Sequence, residues 1–156
     1  RILGNFYLEL RPIKNLSLKT TFSPNYAHTR TGQYIGNGVG GTPEASYNSS
    51  ESFDWTWDNI INYNLTSGNH SFNAMGLFSA TAYNNEKYAI EVTNPTENTT
   101  WYNLGSGSTG EGERPTVSSS YTENAMYSYA VRLNYSYKGK YMATLTTRAD
   151  GSSRLA

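Results

Sequence analysis

The sequence lacks several residue types and patterns, and each absence excludes a class of protein. It contains no cysteine, so neither disulfides nor thiolate metal sites contribute to the fold. No apolar run reaches the length of a transmembrane helix. The formal net charge is zero, from 12 basic and 12 acidic residues, which argues against a nucleic-acid partner because such proteins carry a basic surplus.

Charged residues are also scarce, whereas aromatic residues are frequent. Charged residues make up 15% of the chain and aromatic residues 14%, and 14 of the aromatic residues are tyrosine. Tyrosine and threonine favour strands, whereas asparagine, serine and glycine favour turns. The composition therefore predicts an all-β fold.

The clearest local pattern is a hairpin near the end of the chain, from Asn124 to Asp150 around a turn at Lys138-Gly139-Lys140. In its first strand every second residue is tyrosine, alanine, valine or leucine, and the residues between are mostly polar. Because successive side chains of a strand point to opposite faces, the hairpin has one charge-free face and one polar face.

The same alternation predicts about six strands in an antiparallel up-and-down meander. Short turns and two long polar loops connect them, and Pro12 and Pro24 are expected to interrupt strand pairing. The predicted strands cover about residues 2–10, 16–23, 53–63, 70–81, 124–137 and 141–150. The loops, about 25–52 and 83–123, are expected to be extracellular, and we expect the chain to be an excerpt cut at both ends.

Charges on the predicted strands share one face, which suits a membrane barrel but also a soluble sandwich with a charge-free core. The charged residues of that face are Glu9, Lys19, Asp54, Asp58, Arg132, Arg148 and Asp150. Aromatic residues near both ends of the strands form two belts, which favours a large transmembrane β-barrel. On this interpretation an arginine in place of Leu133 blocks assembly, whereas an arginine in place of Ser128 is tolerated.

Three stretches resemble the SusC/RagA-type TonB-dependent outer-membrane transporters of Bacteroidetes. The most specific motif is R-L-N-Y-S-Y at Arg132 to Tyr137, then Lys140-Tyr141, then R-A-D-G-S-S-R at Arg148 to Arg154. The other two stretches are FYLELRPIKNLSLKTTFSPNY and WTWDNIINYNL with GNHSFNAMGLFSA. The resemblance implies a barrel of about 22 strands around a plug. It also implies location in the bacterial outer membrane, in contact with its lipid, and energy from TonB. The imported substrate would be a glycan or a peptide, taken up together with a SusD-like surface lipoprotein.

Candidate site residues fall into two groups. Trp101, Tyr102 and Tyr34 are candidate ligand contacts, since an exposed indole or phenol stacks on a sugar or a partner surface; loop packing is the alternative for the first two. Five polar residues are predicted to face the lumen, where ion pairing is the simplest role: Arg132, Arg148, Asp150, Asp54 and Asp58.

No catalytic, cofactor or metal site is predicted. His28 and His70 are the only histidines, and neither has a partner at ligand spacing. Two other functions remain open from the residues alone. One is a soluble β-sandwich that binds carbohydrate through Trp101, Tyr102 and Tyr34, and the other is a passive porin without a plug.

Overall fold

The computed structural model describes residues 1–36, 42–95, 101–106 and 114–154. It consists almost entirely of β-strands in one sheet, as the sequence predicts. The strands are β1 (Ile2–Leu3), β2 (Phe6–Ile13), β3 (Leu16–Ile35), β4 (Glu44–Ser67), β5 (His70–Thr93), β6 (Thr116–Tyr137) and β7 (Tyr141–Ser152), with a 3₁₀ helix at Leu104–Ser106.

The strands follow one another across the sheet in the order β1-β3-β4-β5-β6-β7, and β2 also pairs with β3. This order is that of the predicted antiparallel meander, which is confirmed. The chain divides into two compact units. The first unit comprises Arg1, Tyr26–Ser52 and Asn84–Thr122, and the second comprises Ile2–Asn25, Phe53–Tyr83 and Glu123–Ala156.

The strands are much longer than predicted, so the prediction of two long loops, 25–52 and 83–123, is wrong for most of the described residues. β3 continues to Ile35, β4 begins at Glu44, β5 continues to Thr93 and β6 begins at Thr116. Parts of these extensions have polar side chains on both faces, as at Thr29 and His28. A strand without an apolar face lacks the alternation that identifies strands in a sequence, although its backbone pairs as well as any other.

The two prolines expected to interrupt pairing lie inside strands. Pro12 lies in β2, where the pairing register with β3 shifts between Leu10 and Ile13. Pro24 lies in β3, and its carbonyl oxygen accepts a hydrogen bond of 2.9 Å from the amide of Gly4. Proline is compatible with a strand where its missing N–H is not required by the ladder, as at a register irregularity.

Buried apolar side chains are few and belong to the first unit. Ala45, Val92 and Leu104 form a small cluster, against which Tyr47 and Ile90 pack. In the second unit the buried side chain is polar: Ser128 is 2% exposed. Large apolar side chains of that unit are instead exposed, among them Leu8, Leu10, Ile61, Val131 and Leu145. Among its described residues, the second unit is therefore held by its strand ladder and not by a hydrophobic core.

The register of β6 and β7 gives the two faces of the second unit. Val131 pairs with Thr147 and Leu133 with Leu145, whereas Arg132, on the opposite face, pairs with Thr146. The hairpin turns through Lys138 and Gly139, whose φ angles are 51° and 65°. These left-handed conformations are typical of a tight hairpin turn with the twist of the flanking strands. In the described part of the chain, no helix is long and apolar enough to cross a membrane.

Candidate functional site

A row of hydrogen-bonded side chains crosses four strands on the polar face of the second unit. Thr144 Oγ1 donates to Asn134 Oδ1 at 2.9 Å, and Asn134 Nδ2 donates to Asn73 Oδ1 at 2.9 Å. Asn73 Nδ2 in turn donates to Asn64 Oδ1 at 2.7 Å. We call these four residues the asparagine row. Each side chain of the row thus provides a hydrogen-bond partner for its neighbour.

The two aspartates of β4 each bind a neutral side chain on an adjacent strand. Asn25 Nδ2 donates to Asp54 Oδ1 at 2.7 Å, and Ser79 Oγ donates to Asp58 Oδ1 at 2.6 Å. The ion pairing predicted for them is not among the described contacts, because the neighbouring strands present an amide and a hydroxyl at these positions. Hydrogen bonds to a carboxylate are stronger than those between neutral groups, so both side chains are held in place.

The arginine and aspartate of the R-A-D-G-S-S-R motif pair with each other along β7. Arg148 Nε donates to both carboxylate oxygens of Asp150, at 2.9 and 3.0 Å. Ser128 on β6 donates to Asp150 and accepts from Arg148 Nη2 at 3.2 Å. Arg132 makes a longer contact, with Thr146 Oγ1 at 3.4 Å. Because Ser128 is buried and bonded to both partners, an arginine there would lose both bonds, so residue 128 is not a suitable control position.

The remaining residues of this motif have structural roles that spacing alone did not reveal. A Cβ atom at Gly151 would lie 2.4 Å from the ring of Tyr127, so the ring lies directly on the glycine backbone. Ser153 exchanges backbone and side-chain hydrogen bonds of 3.0 Å with the backbone of Ala125. The motif that carries the family resemblance therefore fixes the β6–β7 pair.

Aromatic rings form two clusters on the apolar face of the second unit. The first connects Trp57, Phe78, Tyr129 and Tyr127 through ring contacts of 5.1 to 6.0 Å. The second connects His70 with Tyr135 and Tyr137 and continues to Tyr141. Along β6 the outer edges of the clusters, Tyr127 and Tyr137, lie about 33 Å apart at about 3.3 Å per residue. At a strand tilt of about 40° this spans about 25 Å, the height of a lipid-facing apolar band.

Trp101 is packed against the sheet of the first unit. Its ring stacks on Tyr47, with centroids 6.1 Å apart and planes 5° apart. A Cβ atom at Gly32 would lie 2.2 Å from the indole, so the ring lies directly on the backbone of β3. Leu104, three residues further on, is buried with Ala45 and Val92. We call residues 101–106 the docked segment.

The candidate ligand contacts are thus brought together only in part. Tyr102 contacts Trp101 edge to face at 5.5 Å and is 73% exposed, whereas Trp101 is 42% exposed. Tyr34 is also exposed and lies on β3 two residues beyond Gly32, and the described ring contacts do not join it to the other two. Of the three, Tyr102 has the most surface available to a ligand.

Sequence reasoning missed a groove in the first unit. It has a volume of about 340 Å³ and crosses β3, β4, β5 and β6. Its lining is rich in hydroxyl groups and includes Thr29, Thr31, Asn48, Ser50, Lys87 and Ser118. These residues lie in stretches expected to be loops, so no strand register was available to align them. The groove offers hydrogen-bond donors and acceptors and a single charged side chain.

The histidines have ordinary polar partners. His28 Nε2 and Ser49 Oγ are hydrogen-bonded at 3.1 Å, and His70 Nδ1 and Tyr135 Oη at 2.7 Å. In the described ranges, no group of three or more histidine, aspartate and glutamate side chains is arranged to hold a metal ion.

Comparison with known proteins gives matches along nearly the whole chain. TonB-dependent receptor P26 of Formosa agariphila is 31% identical over 160 residues, which cover 97% of this chain and 16% of the relative. TonB-dependent receptor P3 of the same organism is 32% identical, covering 98% of this chain and 15% of the relative. No protein-family model matches. The chain thus spans about one sixth of the length of these curated relatives.

Two solved structures share the fold. The RagAB peptide transporter matches with a TM-score of 0.87 at 20% identity, covering 97% of this chain and 17% of that chain. The RagAB peptide importer in its closed-closed state matches with a TM-score of 0.85 at 21% identity over the same shares. Together with the apolar and polar faces described above, these similarities define part of a transmembrane β-barrel of the bacterial outer membrane. In sequence the chain resembles the TonB-dependent receptors, and in fold it resembles part of the RagAB transporter, so the resemblance that its motifs predicted is confirmed.

Proposed function

We propose that the chain is part of a TonB-energised importer of nutrients such as glycans or peptides, to which it contributes barrel wall and extracellular surface. The observation that carries the proposal is the contrast between the faces of the second unit. One face has exposed apolar and aromatic side chains, and the other has a connected set of polar hydrogen bonds. Contact between an apolar face and lipid costs no desolvation of polar groups, whereas a polar face in contact with lipid would lose its hydrogen bonds to water.

A soluble carbohydrate-binding sandwich is not favoured by these contacts. Such a sandwich buries the inner faces of two sheets against each other. Here the buried apolar cluster of the described residues comprises Ala45, Val92 and Leu104 alone. No observation favours a passive porin either. The N-terminal sequence of the whole protein separates the two barrel functions, since a plug domain and a TonB box must precede this stretch in the importer.

Two surfaces of the first unit are the proposed substrate contacts. The hydroxyl-rich groove presents donors and acceptors that suit the hydroxyls of a sugar or the amides of a peptide. Tyr102 adds an exposed ring next to Trp101. The relatives of known structure are named as peptide transporters, which supports a peptide as one candidate substrate. A surface lipoprotein that covers the substrate and TonB in the periplasm are the proposed partners.

The five charged residues Asp54, Asp58, Arg132, Arg148 and Asp150 are proposed to line the barrel interior without taking part in chemistry. Their contacts support a structural role, since each has a side-chain partner within the sheet. Pairs on an exposed surface contribute little to stability, about 0–1 kcal/mol. We assign no catalytic step to the chain.

A pair of arginine substitutions in the full-length protein tests the membrane face. Leu145 is exposed on the apolar face and pairs with Leu133, between the two aromatic clusters. Leu145→Arg therefore costs about 2–4 kcal/mol near the bilayer midplane and is expected to prevent outer-membrane assembly. Thr144→Arg is the matched control, because residue 144 is next to Leu145 in the sequence but lies on the polar face, where its hydroxyl donates to Asn134.

Assembly is measured as the amount of heat-modifiable protein in outer-membrane fractions, run on gels with and without boiling. Equal amounts for the two variants would contradict the assignment of the faces. Import is then tested with labelled peptides and oligosaccharides in cells with and without TonB. Uptake that persists without TonB would point to a passive pore, although the barrel itself is intact.

A further inference from the structure

A groove of about 550 Å³ crosses β2 to β6 on the apolar face of the second unit. In the register of β2 and β3, Leu8 pairs with Thr20, and Thr20 Oγ1 accepts a hydrogen bond of 2.9 Å from Trp57 Nε1. The groove therefore lies on the face of the first aromatic cluster, to which Trp57 belongs. We call it the apolar groove, because its lining on this face is mostly hydrocarbon and includes Leu8, Leu10, Leu18, Ile61, Phe78 and Val131.

Asn59 is a polar side chain within this lining. It follows Trp57 by two residues on β4, so both side chains lie on the same face. Its Nδ2 atom is buried and has no hydrogen-bond partner among the described residues. A buried amide donor without a partner is costly, and such groups are rare in folded proteins. An acceptor supplied by a bound molecule would remove this cost.

The chemistry of the apolar groove indicates a ligand that is mostly hydrocarbon and has an acceptor oxygen. The donor to be paired is the Asn59 amide, and the χ2 torsion of asparagine is broad enough to turn Nδ2 towards the groove. The volume of the groove lies in the usual range of ligand sites, about 300–1,000 Å³. An acyl chain joined to a carbonyl meets both requirements, since the chain packs against the leucine side chains and the carbonyl oxygen accepts from the amide.

The depth of Asn59 indicates the source of such an acyl chain. Trp57 and the other rings of the first aromatic cluster mark one edge of the apolar band, at the level of the lipid headgroups. Asn59 lies about 7 Å further along β4 at about 3.3 Å per residue, which is about 5 Å deeper in the band at a strand tilt of about 40°. The headgroup region is about 5–8 Å thick on each side of the hydrocarbon, so Asn59 lies near the level of the ester carbonyls.

We propose that the apolar groove binds one acyl chain of a diacyl membrane phospholipid and that Asn59 donates a hydrogen bond to the ester carbonyl of that chain. The site is continuous with the apolar face of an outer-membrane barrel, where such lipid is present. The unpaired amide carries the proposal, because hydrocarbon contact alone would leave it unpaired. The proposal depends on the lipid contact of this face, which Leu145→Arg tests separately, and not on what the protein imports.

The test uses the full-length protein in mild detergent, titrated with diacyl or dialkyl phosphatidylethanolamine and followed by native mass spectrometry. The two lipids have the same headgroup and chain length, and the dialkyl lipid has ether links in place of the ester carbonyls. We expect the diacyl lipid to bind about tenfold more tightly, which corresponds to about 1.4 kcal/mol and to one hydrogen bond from a buried donor. In Asn59→Leu the two affinities are expected to become equal.

Tyr127→Phe is the matched control, because it removes a polar group from the same face but from a residue that does not line the apolar groove, and it is expected to keep the tenfold preference. Heat-modifiable migration checks that each variant is folded. Equal affinity for the two lipids in the unchanged protein would overturn the proposal without any variant, and so would a preference that persists in Asn59→Leu. Lipid A is added as a competitor: if it displaces the diacyl lipid at equal concentration, the groove belongs to lipopolysaccharide and not to a phospholipid.

Discussion

Replacing Gly32 with alanine is expected to release the docked segment from the sheet of the first unit. The added Cβ would lie 2.2 to 2.5 Å from the Cδ2, Cε3 and Cγ atoms of Trp101. Real contacts of this kind are about 3.4 Å or longer, so the indole has to move by about 1 Å away from β3. The backbone of a paired strand cannot move to relieve the clash, so the docked segment has to shift instead.

The expected magnitude follows from what the indole loses. Its stacking on Tyr47 is worth about 0.5–1.5 kcal/mol beyond the buried area. The side chain is a little more than half buried, and partial loss of that area at about 25 cal/mol per Å² adds about 1–2 kcal/mol. We therefore expect the free energy of local opening to fall by about 1.5–3.5 kcal/mol, a roughly 10- to 400-fold faster exchange of the amides protected by docking.

Hydrogen–deuterium exchange of the full-length protein in detergent measures this opening, with peptides that cover residues 101–106 and the adjoining part of β4. Two glycines provide matched controls. At Gly36 a Cβ would meet Tyr34 at an ordinary 3.6 Å, and at Gly105 it would meet nothing within 4 Å. Unchanged exchange in Gly32→Ala, or equal acceleration in Gly36→Ala, would show that Trp101 is not held on β3.

Two further predictions concern the second unit, and both are read from the temperature at which the heat-modifiable band unfolds. Gly151→Ala displaces the ring of Tyr127 and is expected to cost about 1–3 kcal/mol; combining it with Tyr127→Leu restores most of the loss, and no recovery would refute the contact. Asn73→Leu leaves Asn64 Oδ1 and Asn134 Nδ2 without the bonds that join them to Asn73, at a cost of about 1–3 kcal/mol, and an unchanged unfolding temperature would mean that water replaces these bonds freely.

Alternation in the sequence was sufficient to assign faces wherever the two faces differ in polarity. Arg132 and Leu133 are neighbours in sequence, and the β6–β7 register places their partners Thr146 and Leu145 on opposite faces as predicted. The same holds for Asn73 and Gly76 on β5, whose contacts are with Asn64 on the polar face and Ile61 on the apolar face. Where polar and apolar residues alternate with a period of two, the faces of a strand can be assigned from neighbouring residues alone, without knowledge of the strand's partners.

The strand extensions could not be predicted in this way, because their faces do not differ in polarity or, around Ala45 and Val92, differ over only a few residues. Thr29 and His28 are both polar, so neither periodicity nor composition distinguishes such a strand from a loop. What makes these residues a strand is pairing with neighbours far along the chain. That pairing also aligns the hydroxyl-rich groove, which explains why the groove was missed.

Contacts between distant residues were likewise beyond local reasoning. Trp101 was a candidate ligand contact on the strength of its loop position, yet its packing depends on Gly32 and Tyr47, more than 50 residues earlier. Ser128 looked like an ordinary polar-face residue, and only the register with β7 shows that it is enclosed by Arg148 and Asp150. In both cases the decisive partner is set by tertiary structure.

The asparagine row has a direction, and this has a consequence for how the strands find their partners. Every bond in it is donated the same way, from Thr144 through Asn134 and Asn73 to Asn64, so the dipoles of the three amides reinforce one another. A slip of one residue between any two of these strands turns a whole strand face over and replaces an amide with an apolar neighbour. The asparagine row therefore favours the correct register. All of its hydrogen bonds form when the strands are correctly aligned, and a misaligned strand interrupts the row.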